Sequence, residues 1–320
     1  MGPRRLGPGR TGARPRQRED SMTKPWTPDY NVNRALVEEV VRAQAPDLDV
    51  AELTYVGAGW DHEVWRCGDV VLRFPHQDDV RELAARKAQV LAQLAGRLPC
   101  GCPAPTHLGE ASARYPARFV GYRWLAGNMP ARLRLSDEER ALAAEPIARS
   151  LKALHAMSLD EVKHWGVEPA DIEGELALRT ENAQLRAEQL SSSKYATLAR
   201  EAADAMLSIP AEVTDSGRRL VHGDLHAGQL LFDDERRFVG IIDWDEVSIG
   251  DPAYDLLLVY AFLPRAARAP FWRCYGSFEG KDRARHLAVS YGLAILAQAV
   301  DTHGDELRDE AAYGLANALS

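Results

Sequence analysis

The stretch Val221-His222-Gly223-Asp224-Leu225-His226-Ala227-Gly228-Gln229-Leu230-Leu231-Phe232 sets a carboxylate and an amide five residues apart, directly ahead of an apolar run. The next apolar run, Phe238 to Ile242, ends in Asp243-Trp244, and the polar Asp233-Asp234-Glu235-Arg236-Arg237 between the runs reads as a turn. A hairpin of this kind returns Gln229 and Asp243 to one end, where Asp224 joins them. A carboxylate that aligns a hydroxyl and takes its proton, next to hard oxygen donors suited to Mg²⁺, is the donor set that phosphoryl transfer needs.

Upstream, the apolar positions Ala35, Leu36, Val40 and Val41 recur at helical spacing. Leu53, Tyr55, Val64, Trp65, Val70, Val71, Leu72 and Phe74 then mark short strands, punctuated by Gly57, Gly59, Gly68 and Pro75. A helix is expected from about 79 to 95 and a buried strand from Phe119 to Leu125. Ser136 with Glu139 forms a capping box before Leu142, Ile147, Leu151 and Leu154, which predicts one long helix. The stretch from about 170 to 207 is polar, Ala-rich and Glu-rich; helical patterning resumes from Arg265 to the end.

Composition narrows the partners. A formal charge of −8 gives no general attraction to nucleic acid or anionic membrane and favours a cationic small molecule. No apolar run is long enough to cross a bilayer, and a cytoplasmic location is the expectation. Cys67, Cys100, Cys102 and Cys274 lack the spacing of a disulfide framework or a metal site and read as reduced thiols. Residues 1–21, rich in Arg, Gly and Pro, read as a disordered basic tail.

The motifs His222-Gly223-Asp224-Leu225-His226, Ile242-Asp243-Trp244 and Gly250-Asp251-Pro252-Ala253-Tyr254-Asp255, in this order, resemble the aminoglycoside and macrolide phosphotransferase family. The resemblance implies an α+β, bilobal, protein-kinase-like fold. A small β-rich N-terminal nucleotide-binding lobe over 22–125 would precede a larger, mainly helical catalytic and substrate-binding lobe over 126–320, with a helical insertion at about 170–207. It implies an antibiotic O-phosphotransferase using Mg²⁺ and GTP or ATP, with an aminoglycoside-like acceptor first and a macrolide next. A small-metabolite kinase or a nucleotide-binding pseudoenzyme remains the alternative.

Carried over position by position, the resemblance makes Asp224 the catalytic base, Gln229 and Asp243 the metal ligands, and Asp251 a loop-ordering residue. Gln229 stands where the family usually has Asn and macrolide kinases have His. Gly57 and Gly59 would lie over the nucleotide phosphates, and Arg73 stands where the family has a phosphate-binding Lys. The helix Glu that normally pairs with that cation aligns with Lys87, leaving Glu82 as a substitute. Tyr122, Arg123 and Leu125 would line the purine pocket, and the bulk of Tyr122 favours GTP. Glu173, Glu175, Glu181, Asp245 and Glu246 are candidate contacts for an ammonium-bearing acceptor.

Overall fold

The computed structural model describes residues 30–58, 61–76, 81–170, 175–208, 217–302 and 305–320, leaving aside the side chains of 81–83, 85, 175–177 and 302. The basic tail, Gly59, Glu173 and the side chains of Glu82 and Glu175 lie outside the described residues.

Helix α1 (Arg34–Gln44) is capped by Asn33, whose side chain accepts from the Leu36 N–H. Strands β1 (Leu53–Ala58), β2 (His62–Cys67) and β3 (Val70–Pro75) follow, then α2 (Arg81–Leu94), β4 (Pro105–Leu108) and β5 (Val120–Arg123). The strands form one antiparallel sheet in the order β1-β2-β3-β5-β4. Alternation divides its faces. Leu53, Trp65, Cys67, Leu72 and Phe74 pack with Val37, Val40 and Val41 of α1 in one core cluster. Val120 and Tyr122, which pair with Arg73 and Val71, belong to a second cluster with Ala84, Ala88 and Leu91 of α2. Arg73 and α2 therefore share a side of the sheet.

That second cluster runs on into the rest of the chain. After α3 (Pro130–Leu133) come α4 (Asp137–Leu142), α5 (Ala144–His155), α6 (Leu159–His164), α7 (Glu175–Gln189) and α8 (Ala196–Ser208). The capping box at Ser136 forms as expected, but it opens a helix of 6 residues and not a long one. Pro146 lies in the first turn of α5, where its missing N–H would interrupt a continuous helix, and Leu142 is left 78% exposed at the break.

Strands β6 (Arg219–Val221), β7 (Leu230–Phe232), β8 (Phe238–Ile241) and β9 (Ser248–Gly250) pair antiparallel as β6 with β9 and β7 with β8. Helices α9 (Ala253–Leu256), α10 (Leu258–Ala261), α11 (Arg265–Tyr275), α12 (Lys281–Thr302) and α13 (Asp305–Leu319) complete the fold. Leu287, Ala288, Val289, Leu293, Leu296 and Ala299 of α12 are all buried, as expected of a helix that is apolar on most of its circumference. Among the described residues no helix is long and apolar enough to cross a membrane. All four cysteines are free thiols. Gly101, between Cys100 and Cys102, lets the backbone stitch onto the hairpin: its N–H donates to Val239 and its carbonyl accepts from Ile241.

Candidate active site

The β7–β8 hairpin brings its motif residues together by main-chain bonding. Leu230 pairs with Ile241, and the Ile242 N–H donates to the Gln229 carbonyl at 2.9 Å, so Gln229 and Asp243 meet at one end as their spacing anticipates. Gly223 lies in the loop between β6 and β7 with φ 88°, and a Cβ there would fall 2.3 Å from the Glu246 carbonyl oxygen. Only glycine allows this approach of two backbones, and the approach sets Asp224 beside the segment that carries Asp243.

The loop is held from below by Asp255 of α9. This fully buried carboxylate accepts from the N–H groups of His222 and Gly223, each at 2.9 Å, and lies 2.9 Å from His155 Nε2 at the end of α5. Burial alone would raise the Asp255 carboxyl, but the His155 contact and these donors outweigh it and hold it below its ordinary range. His222 donates from Nε2 to the Ile242 carbonyl at 3.0 Å, which leaves Nδ1 to accept, and its ring lies 4.7 Å from that of Trp244. Both residues are architectural. Asp251 accepts from the Ala253 N–H at 3.0 Å and pairs with buried Arg283, fixing the start of α9.

Asp224 is partly buried on this platform. Burial pushes its carboxyl up to about 6, with the Asp243 and Glu246 carboxylates adding and His222 and Arg179 opposing. A carboxylate titrating there is a better proton acceptor near neutral pH than one at the usual value. Asp243 has φ 63°, in the left-handed region that a non-glycine residue rarely occupies, and its side chain is half exposed. Strain of this kind collects where a side chain must be aimed. Gln229 is buried; its Oε1 accepts from the His226 N–H at 3.0 Å, and its Nε2 lies 2.9 Å from His226 Nε2. Burial holds the His226 ring down at about 4, so it is neutral.

Facing these groups from the sheet is Arg73. Its guanidinium meets Asp245 through both terminal nitrogens, one contact being 3.3 Å, and lies 3.4 Å from Asp243. Asp245 is thus committed to an arginine across the cleft and is not an open contact for an acceptor ammonium, contrary to the expectation from sequence. The expected pairing of Arg73 with Glu82 of α2 lies outside the described residues; among the described side chains Arg73 meets Asp245 and Asp243. His62, on the same sheet face, is pushed down to about 3 by burial and by the charge of Arg73.

Gly57 sits at a β-bulge between β1 and β2. Tyr122 is buried on the Arg73 side of the sheet. The N–H of Arg123 is spent on the Ala104 carbonyl at 2.9 Å, that of Trp124 on Asp69 at 2.7 Å and that of Asn128 on Phe232 at 2.8 Å. A Cβ at Gly127, which crosses between the sheet and the hairpin, would lie 3.1 Å from the Leu231 Cβ and from the Phe232 carbonyl oxygen, tighter than an ordinary contact.

The model of the phosphotransferase enzyme family matches residues 52–287, most of the chain. The chain belongs to the phosphotransferase enzyme family. Over 104 residues this phosphotransferase is 35% identical to the viomycin phosphotransferase of Streptomyces vinaceus, a match covering 30% of this chain and 34% of that protein. The chain spans about a third of the length of the curated relatives it matches. Among solved structures, the GDP and kanamycin complex of APH(2")-IIia superposes with a TM-score of 0.62 at 19% identity over 88% of this chain and 97% of that one. The apoenzyme of macrolide 2'-phosphotransferase from Brachybacterium faecium gives 0.58 at 24% identity, over 88% and 98%. The fold is that of the kinase-like antibiotic phosphotransferases, α+β with a five-stranded antiparallel sheet.

Among the described residues no group of three or more His, Cys, Asp or Glu is placed to hold a metal. Asp243 offers one half-exposed carboxylate, and the Gln229 amide oxygen, which already accepts from the His226 N–H, has a second lone pair that could join it. That sparse set suits Mg²⁺, which takes one or two protein carboxylates and completes its octahedron with phosphate oxygens and water. Sequence reasoning missed His155 and Arg179. The former lies at the end of an ordinary amphipathic helix and the latter within a polar one, with no local signal that the one meets Asp255 or that the charge of the other reaches Asp224.

Proposed function

We propose that this phosphotransferase moves the γ-phosphate of GTP or ATP to a hydroxyl of a small-molecule antibiotic, with an aminoglycoside-like acceptor first. The observation that carries the reading is the convergence of Asp224, Asp243 and Arg73 on one cleft, with the Asp224 carboxyl raised to about 6. Asp224 aligns the acceptor hydroxyl and takes its proton as the oxygen attacks phosphorus. Arg73 meets the nucleotide phosphates with a two-pronged guanidinium. Asp243 and the Gln229 amide would hold Mg²⁺, which when bound would supply charge neutralisation at the phosphates. Gly57 lies over the phosphates, and Tyr122 and Leu125 border the base. The GDP bound in a structural neighbour supports a nucleotide donor, and its kanamycin supports an antibiotic acceptor.

A macrolide acceptor is the second reading, and Arg179 favours it. Its charge reaches Asp224, and its guanidinium lies 4.4 Å from the Tyr291 ring centre and 5.7 Å from that of Tyr254. A cation stacked on aromatic faces next to the base suits an acceptor with few ammonium groups better than a polycation. The test is phosphate transfer from GTP and ATP, with Mg²⁺, to aminoglycosides, macrolides and simple amino alcohols, with Asp224→Asn as control. Turnover of an antibiotic class supports the reading and selects the acceptor; turnover of amino alcohols alone replaces it with a metabolite kinase.

A further inference from the structure

Arg73 is a cation with two carboxylate neighbours, and they are not equivalent. Its contact with Asp243 is single and 3.4 Å long, whereas Asp245 presents both oxygens to both terminal nitrogens of the fork. The Arg73 side chain is 22% exposed, so its charge is largely withdrawn from water and needs a counter-charge that stays in place. Asp243 does not meet that need once its carboxylate serves a metal. The Arg73 Nε is buried without a hydrogen-bond partner, so the guanidinium is oriented through its two terminal nitrogens and the groups facing them.

Helix α2 packs on the same side of the sheet and offers a base. Asp245, in the loop that follows β8, faces Arg73 of β3 with both carboxylate oxygens.

We propose that Asp245 is the positioning residue for Arg73, aiming its guanidinium at the nucleotide phosphates from the loop after β8. The inference rests on the phosphotransferase reading. It places the counter-charge of Arg73 in the loop after β8, 172 residues along the chain.

The test is binding of GDP and ADP by calorimetry, in EDTA and again with Mg²⁺, to the wild type, Asp245→Asn and the double variant Asp245→Asn/Lys87→Glu. An arginine–phosphate contact does not require metal, so Asp245→Asn is expected to weaken binding about tenfold in EDTA as well as in Mg²⁺. The double variant, which returns a carboxylate to the cluster from α2, is expected to recover to within about threefold of wild type. Unchanged binding by Asp245→Asn overturns the proposal. Tighter binding overturns it too, because Asp245 would then be competing with phosphate for Arg73, and a loss seen only with Mg²⁺ overturns it by assigning Asp245 to the metal. Should Asp245→Asn not fold, the double variant is read alone, and a loss beyond about tenfold overturns the proposal. Wild type that binds neither nucleotide ends the phosphotransferase reading and this inference together; wild type that binds, with Asp245→Asn indifferent, ends this inference alone.

Discussion

At the scale of single residues, the raised Asp224 carboxyl couples catalysis to stability. In the unfolded chain it titrates near 3.9 and in the folded protein at about 6, so the folded state binds that proton more tightly. Stability from this group is complete below about pH 4 and is lost as pH rises through about 6. Asp224→Asn is therefore expected to abolish phosphate transfer while stabilising the nucleotide-free protein by about 1–2 kcal/mol at pH 8, less than the full shift because the group is only partly buried. The gain should vanish near pH 4. Urea titrations at both pH values check the sign; destabilisation at pH 8 would show that the carboxylate is not strained by its burial. Gly223→Ala is expected to act on the loop itself, since the added carbon would lie 2.3 Å from the Glu246 carbonyl oxygen at φ 88°. Displacing Asp224 by even a fraction of an ångström should lower transfer about a hundredfold, seen as a fall in kcat in a protein of unchanged circular dichroism.

At the scale of elements, α9 and α5 hold the loop that enters the β7–β8 hairpin. Asp255 of α9 and His155 of α5 form the link, with the His222 and Gly223 N–H groups closing it. Asp255→Asn keeps the volume but cannot accept from all these donors, and is expected to cost about 3 kcal/mol by urea denaturation and to lower transfer with it. A second buried link joins α4 to α13. Arg140 Nη1 and Nη2 meet Glu310 at 2.7 and 2.6 Å, and the guanidinium lies over the rings of Phe262 and Tyr313 at 4.8 and 4.0 Å. Glu310→Ala strands that charge and should cost about 3–5 kcal/mol, whereas adding Arg140→Met should recover much of it, measured as urea midpoints. Strands β1 to β3 and β5, helices α1 and α2 and the β7–β8 hairpin were legible because periodicity and turn residues are local signals; β4, β6 and β9, of three or four residues each, were not. The break between α4 and α5 was visible only in Pro146, which the apolar periodicity ran straight across. Asp255 and His222 stood in plain view within the motifs, but nothing local distinguishes a buried acceptor of loop N–H groups from a group that touches substrate.

At the scale of the whole molecule, the cleft lies between the sheet face bearing Arg73 and the hairpin bearing Asp243, and a nucleotide held by both would tether them. Nucleotide with Mg²⁺ at a hundred times its Kd should stabilise the protein by about 2.7 kcal/mol, read as a raised Tm, and Arg73→Gln should remove most of that shift. A Tm that ignores nucleotide would separate Arg73 from phosphate binding. The sequence by itself determined the groups available and their order along the chain: the Asp224 carboxylate, Gln229 and Asp243 returned by a hairpin, and a basic residue at 73 on a strand. These follow from spacing and periodicity, which act over a few residues. Only the tertiary structure decided how the charges are shared, because Arg73 and Asp245 are 172 residues apart and His155 and Asp255 are 100 apart. Which partner a buried charge takes is set by the elements that fold around it, since desolvation forces a pairing without specifying it in the local sequence.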